Sequence, residues 1–216
     1  KQWVKHEVRR NELQDAVDGG LVWITANRQI AGGAILALAA LVVGGILLAH
    51  RTNSKREEAW NRLSMAQAYA YGGRPADSIQ QISELSRDFG ATAASGYARL
   101  FAGDLQYRQG SYKEAVASYA QLLEGGNSKE LTPLALAGTV SAQEAAGLAA
   151  EAAGTAQRFL DAHPDHFLAP QVHTALARNL QASGQGEQAK VTWQKITLQY
   201  PETPWASQAQ AHLQSK

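Results

Sequence analysis

The stretch GSYKEAVASYAQL, residues 110–122, decides the fold. Gly110 supplies a turn. Ala115, Tyr119 and Leu122 then follow at +5, +9 and +12, which places one small and two large apolar side chains on a single helix face. The same order returns every 37 residues, at Gly73, Gly110, Gly147 and Gly184. Periods of this length mark stacked repeats. The +5 positions are Ser78, Ala115, Ala152 and Ala189, all small. The +9 positions are Ile82, Tyr119, Ala156 and Trp193, and the +12 positions are Leu85, Leu122, Phe159 and Ile196. At +17 stand Gly90, Asn127, Pro164 and Pro201, which stop helices or form turns.

The spacing implies antiparallel helical hairpins. Each repeat glycine sits where the chain reverses and a positive φ is needed. The small +5 residue lets two helices approach closely, and the larger residues at +9 and +12 fill the gap to the next unit. Pro164 and Pro201 end the second helix of their pairs. Helical stretches such as Gly96–Arg108 and Pro170–Ala182 precede the glycines. No segment alternates with period two over β-branched residues, so no strand is expected. Ala156 stands where the other repeats carry a larger side chain, so loose packing is expected in the third unit. Residues 206–216 are expected to form the polar closing helix that a stacked array needs.

Upstream lies IAGGAILALAALVVGGILLA, residues 30–49, with 20 consecutive uncharged residues. At 1.5 Å per residue this covers about 30 Å, the thickness of a bilayer core. Arg28 flanks one side, and His50, Arg51, Lys55 and Arg56 flank the other. Trp23 stands where an interfacial aromatic would. The segment begins too late for a signal peptide and lacks a small-x-small cleavage site. Gly33, Ala37, Ala40 and Gly44 share one helix face, and small residues on one stripe admit a second helix. Charge does not fix the orientation: Arg10 and Arg28 lie near the segment on one side, Arg51, Lys55, Arg56 and Arg62 on the other. Lys1, Lys5 and Arg9 add to the first group.

Composition narrows the function. From Asn53 onward, 14 Lys and Arg face 15 Asp and Glu, so no basic surface suggests nucleic acid. The absence of cysteine excludes disulfides, thiolate metal sites and a cysteine nucleophile. No glycine-rich phosphate loop follows a strand, and no Ser/His/Asp triad is suggested. The most catalytic-looking group is His163, Asp165, His166 and His173, whose residue types can ligate a metal. His163, however, occupies the repeat position that Tyr200 fills, which makes it a helix-end packing residue. Neither a cofactor, a metal nor a small-molecule substrate is expected, and the chain is not expected to be an enzyme. Around Val4, Val8, Leu13 and Val17 the N-terminal segment is irregularly amphipathic and reads as a solvated or membrane-surface tail.

The glycine, the small residue, the aromatic and the terminal proline resemble the tetratricopeptide repeat, most closely over residues 110–119. Tyr69 and Gly103 fall on that family's earlier positions. The early Trp-x-x-Leu pairing is poorly kept, and the period is 37 where the family has 34. The expected fold is all-α: one transmembrane helix, read from the uncharged run, followed by an α-solenoid of about four degenerate TPR-like hairpins, which the resemblance implies. The expected bounds are a cytoplasmic tail over 1–29, a transmembrane helix over 30–50, a linker over 51–58 and the repeats over 59–216. Such solenoids present a concave face lined by the first helix of each pair. Carried over position by position, that face holds Asp104, Tyr107, Arg108, Ser141, Glu144, Arg178 and Gln181.

The whole layout resembles the YfgM-like bacterial inner-membrane family. Asn11-Glu12-Leu13-Gln14-Asp15, Val22-Trp23 and Asn27-Arg28 carry that likeness. It implies periplasmic repeats and a scaffold at a translocation channel or envelope-assembly machine, with chaperones as further protein partners. The pattern around Tyr200-Pro201 and Pro204-Trp205 is also similar to repeats of outer-membrane assembly and Tol–Pal proteins. A structural subunit of a larger membrane complex is the alternative, and a metal enzyme built on the histidines is a third reading.

Overall fold

The computed structural model describes residue 14, residues 17–126 and residues 128–215. The tail positions Val4, Val8, Asn11, Glu12, Leu13 and Asp15, the tail cations and the turn residue Asn127 lie outside them. Among the described residues there are ten α-helices, one short 3-10 turn and no strand. The chain divides into two compact units, Lys1–Ser54 and Lys55–Lys216.

The first unit holds helix α1, Val17–Ala26, and the larger part of helix α2, Arg28–Tyr71. Asn27 separates them and bonds back to the Trp23 carbonyl through its own amide at 3.1 Å. An 18-residue window of α2 reaches a mean hydropathy of 2.5 with only 6% of it buried, so it is long and apolar enough to cross a membrane. The residues expected as a linker, 51–58, fall inside α2. Their sequence explains this, since no Gly or Pro occurs between Ile46 and Tyr71 to stop a helix.

The second unit starts with the last turns of α2, which pair with α3 (Pro75–Asp88). Three more pairs follow: α4 (Ala93–Arg108) with α5 (Tyr112–Gly125), α6 (Thr132–Ala145) with α7 (Ala149–Ala162), and α8 (Ala169–Ala182) with α9 (Gly186–Gln199). A 3-10 turn, Lys129–Leu131, leads into α6, and α10 (Pro204–Gln214) closes the array. The closing helix thus starts two residues before the expected position.

Each repeat glycine makes the same turn. Gly73, Gly110, Gly147 and Gly184 have φ of 76°, 78°, 75° and 82°. The next residue's N–H reaches back to the helix: Arg74 to Tyr69 O, Ser111 to Gln106 O, Leu148 to Gln143 O and Gln185 to Leu180 O, at 2.8 to 2.9 Å. These are the paired bonds of a Schellman ending, which satisfy carbonyls that the helix itself leaves free. Every residue at +5, +9 and +12 is buried. Their burial builds four apolar clusters along the array.

The loose packing expected at Ala156 is not found there. Ala156 is fully buried in the cluster that holds Phe159, Leu160 and Val172. The space opens beside it, in a cleft of about 550 Å³ between α7 and α9, floored by Leu176 and Leu180 of α8. Ala150, Ala153 and Gly154 on α7 are too small to fill it.

Candidate binding groove

The two sides of the repeat array differ in how their helices meet. Direct contacts link α4 with α6, α6 with α8 and α8 with α10. Among the described residues no comparable contact joins α5 with α7 or α7 with α9. First helices that touch while second helices splay apart make the first-helix side the inner face. The sequence expectation that these helices line the groove is consistent with that arrangement.

Tyr119 organises the middle of this face. Its ring lies between Gly103 of α4 and Gly138 of α6. A Cβ added at Gly138 would stand 2.6 Å from the ring's Cζ, and one at Gly103 would meet the same ring. Glycine at both positions is what lets the ring lie flat between two helices. The Tyr119 hydroxyl donates to Asp104 Oδ1 at 2.7 Å. Burial first, and the bond to this carboxylate second, hold the phenol well above the ordinary tyrosine range.

Beside that pair lies a cavity of about 300 Å³ formed from α4, α6 and the start of α8. Asp104, Tyr107 and Ser141 line it, three of the seven residues expected on the groove. Leu100, Leu134 and Leu168 supply its apolar wall, and Gln171 completes it on α8. Glu144 and Arg178 do not line it. They join α6 to α8 through a two-pronged ion pair, with Nε and Nη2 of Arg178 each 2.8 Å from a Glu144 oxygen. Arg178 is therefore committed, not a free cation awaiting a partner. Arg108 and Gln181 are exposed on their helices and lie outside the cavity lining.

Sequence spacing missed Leu168 and Gln171. They reach the cavity at the entry to α8, a position that the helix pattern of any one repeat does not specify. The +9 spacing places Tyr119 as a packing residue and says nothing of where its hydroxyl goes. The i, i+4, i+7 run Leu100, Asp104, Tyr107 was the signal available, once the inner side of α4 was known.

The histidines form no metal site: among the described residues, no group of three or more His, Cys, Asp or Glu could hold an ion. His163 caps α7 and packs its ring on Phe159, as Tyr200 caps α9. His166 Nδ1 accepts the Leu168 N–H at 3.2 Å, and His173 Nδ1 is 2.9 Å from the Tyr200 hydroxyl. Burial, with Lys195 nearby, pushes the pKa of His173 down to about 4.

The small-residue stripe of α2 is open. Gly33, Ala37 and Ala40 are exposed, Gly44 is half-buried, and nothing lies within 4 Å of a Cβ built at either glycine.

The tetratricopeptide repeat profile matches residues 63–130 and again residues 102–167. Over these residues the chain is similar to tetratricopeptide repeats. The two matches overlap over residues 102–130, the end of α4 and all of α5, where the spacing is best kept. Solved structures agree on the fold. MamA residues 41 to the end from Desulfovibrio magneticus RS-1 is 16% identical, with a TM-score of 0.58 over 72% of this chain and 81% of that one. A tetratricopeptide repeat protein from Parabacteroides merdae is 18% identical, with a TM-score of 0.60 over 72% of this chain and 59% of that one. Comparison with curated proteins returns no match. Tetratricopeptide repeats typically serve as protein-interaction scaffolds.

Proposed function

We propose that this chain is a membrane-anchored scaffold that binds segments of partner proteins on the inner face of its tetratricopeptide repeats. The observation that carries the reading is the cavity between α4, α6 and α8, where Asp104, Tyr107 and Ser141 converge on an apolar wall. Residues 30–50 would span the bilayer as the anchor. The small stripe Gly33, Ala37, Ala40 and Gly44 would take another membrane helix against it. The likeness of the layout to the YfgM-like family supports a place at a translocation channel or envelope-assembly machine of the bacterial inner membrane. It also supports periplasmic repeats and chaperones among the partners.

Two experiments test this. A photo-crosslinking residue placed at Gln171, in the cavity, is expected to form adducts with partner proteins in native membranes, while one at Lys190 on α9 does not. Equal labelling at both sites would move the binding surface elsewhere. A membrane-impermeant protease added to spheroplasts is expected to digest the repeats. Protected repeats would reverse the orientation.

A further inference from the structure

The groove's chemistry names the kind of side chain it takes. Asp104 is the one charged residue lining the cavity. Among the described residues it makes no ion pair. The bond from the Tyr119 hydroxyl to its Oδ1 brings no positive charge to the carboxylate, which is exposed on α4. Of the cations on the same helices, Arg178 is held by Glu144 and Arg99 bonds the Gln121 carbonyl, while Arg108, one turn along from Asp104, makes no ion pair with it and lies outside the lining. The walls beside the carboxylate are Leu100, Leu134 and Leu168, together with the rings of Tyr107 and Tyr119. Tyr107 is 37% exposed, so part of its surface is open to a visitor.

We propose that this cavity receives a lysine or arginine side chain from the middle of a partner's segment, its aliphatic stem against the leucines and its charge on Asp104. Long basic side chains bury their stems along apolar surface while the charged head finds a partner, and tyrosine faces attract cations. An acidic side chain would meet the carboxylate as a like charge, and an apolar one would leave that charge unanswered. The inference rests on reading the inner face as the binding groove.

Random 12-residue peptides displayed on phage, selected against the full chain in detergent micelles, test it. Lys or Arg is expected to rise at one register position at least about threefold over the starting library. Selection on D104N, whose side-chain oxygen can still accept from Tyr119, returns that position to library frequency, and D104E restores it. A synthetic copy of a recovered peptide with norleucine in place of the basic residue is expected to bind at least about tenfold more weakly, a comparison that leaves the protein unaltered. S141W, which plugs the cavity, abolishes recovery. Peptides that S141W blocks but that show no basic preference, or whose preference survives D104N, would overturn this inference and leave the groove standing. Failure to recover peptides, or recovery indifferent to S141W, would remove the groove and this inference with it.

Discussion

Tyr119 is one residue on which core and groove both depend. Its ring is held from both sides by backbone, so it cannot step aside when a methyl group is added. G138A is expected to cost about 1–3 kcal/mol, the usual penalty for overpacking. In a domain of this size each kcal/mol lowers the melting temperature by about 2–4 °C. A thermal melt unchanged from wild type would mean that the ring has room. His173 gives the stability a pH dependence. Its folded pKa of about 4 lies below the ordinary 6.5, so the folded state binds fewer protons between those values. Stability from this group is complete above about pH 6.5, falls as the pH drops towards about 4, and then levels off. The steepest slope that one proton can give is about 1.4 kcal/mol per pH unit. Urea midpoints across this range should therefore fall less in H173N than in wild type, and parallel curves would contradict the assignment.

At the scale of the element, the same glycine-to-alanine change has opposite signs in neighbouring places. Gly147 turns the chain between α6 and α7 at φ 75°, where a side chain costs about 1–2 kcal/mol. Gly154 lies inside α7 with nothing within 4 Å of its missing Cβ. There G154A is expected to stabilise by about 0.5–1 kcal/mol, because alanine is the better helix former. Chemical denaturation of the two variants should show this split, and equal effects would mean that the turn register is wrong. A115W, at a fully buried +5 contact, should lose more than either. The turns were legible because a positive-φ glycine followed by a helical stripe has few other meanings. The end of the long apolar helix α2 was not legible. Charge and polarity from His50 to Glu58 suggested a linker, but such residues are good helix formers, and only Gly or Pro would have broken α2.

For the whole repeat unit, the last helix is expected to be indispensable. Trp193 stacks on His212 of α10 with rings 4.4 Å apart, and Ala209 joins the cluster of Ala177 and Ile196. Deleting residues 204–216 uncovers these side chains, so the melting temperature should drop and the protein should aggregate. A truncated chain that melts like wild type would show that α9 closes the array by itself. The groove was only half legible from sequence for a reason that operates at this scale. Which side of a helix faces inward depends on α4, α6 and α8 meeting one another, and no single repeat encodes that. Asp104, Tyr107 and Ser141 could be carried over position by position, whereas Leu168 and Gln171 join from the next unit's entry.

Among the described residues, the extensive contacts of each helix in this array are with helices one or two places away along the chain. That pattern has a genetic consequence. A tandem duplication or loss of DNA encoding 37 residues in register would add or remove one hairpin and change only the contacts of the hairpins on either side of it. The length of the array is thus free to drift between descendants in whole units, while insertions out of register would be purged. Relatives of this chain should differ in hairpin number far more readily than in the spacing from one turn glycine to the next.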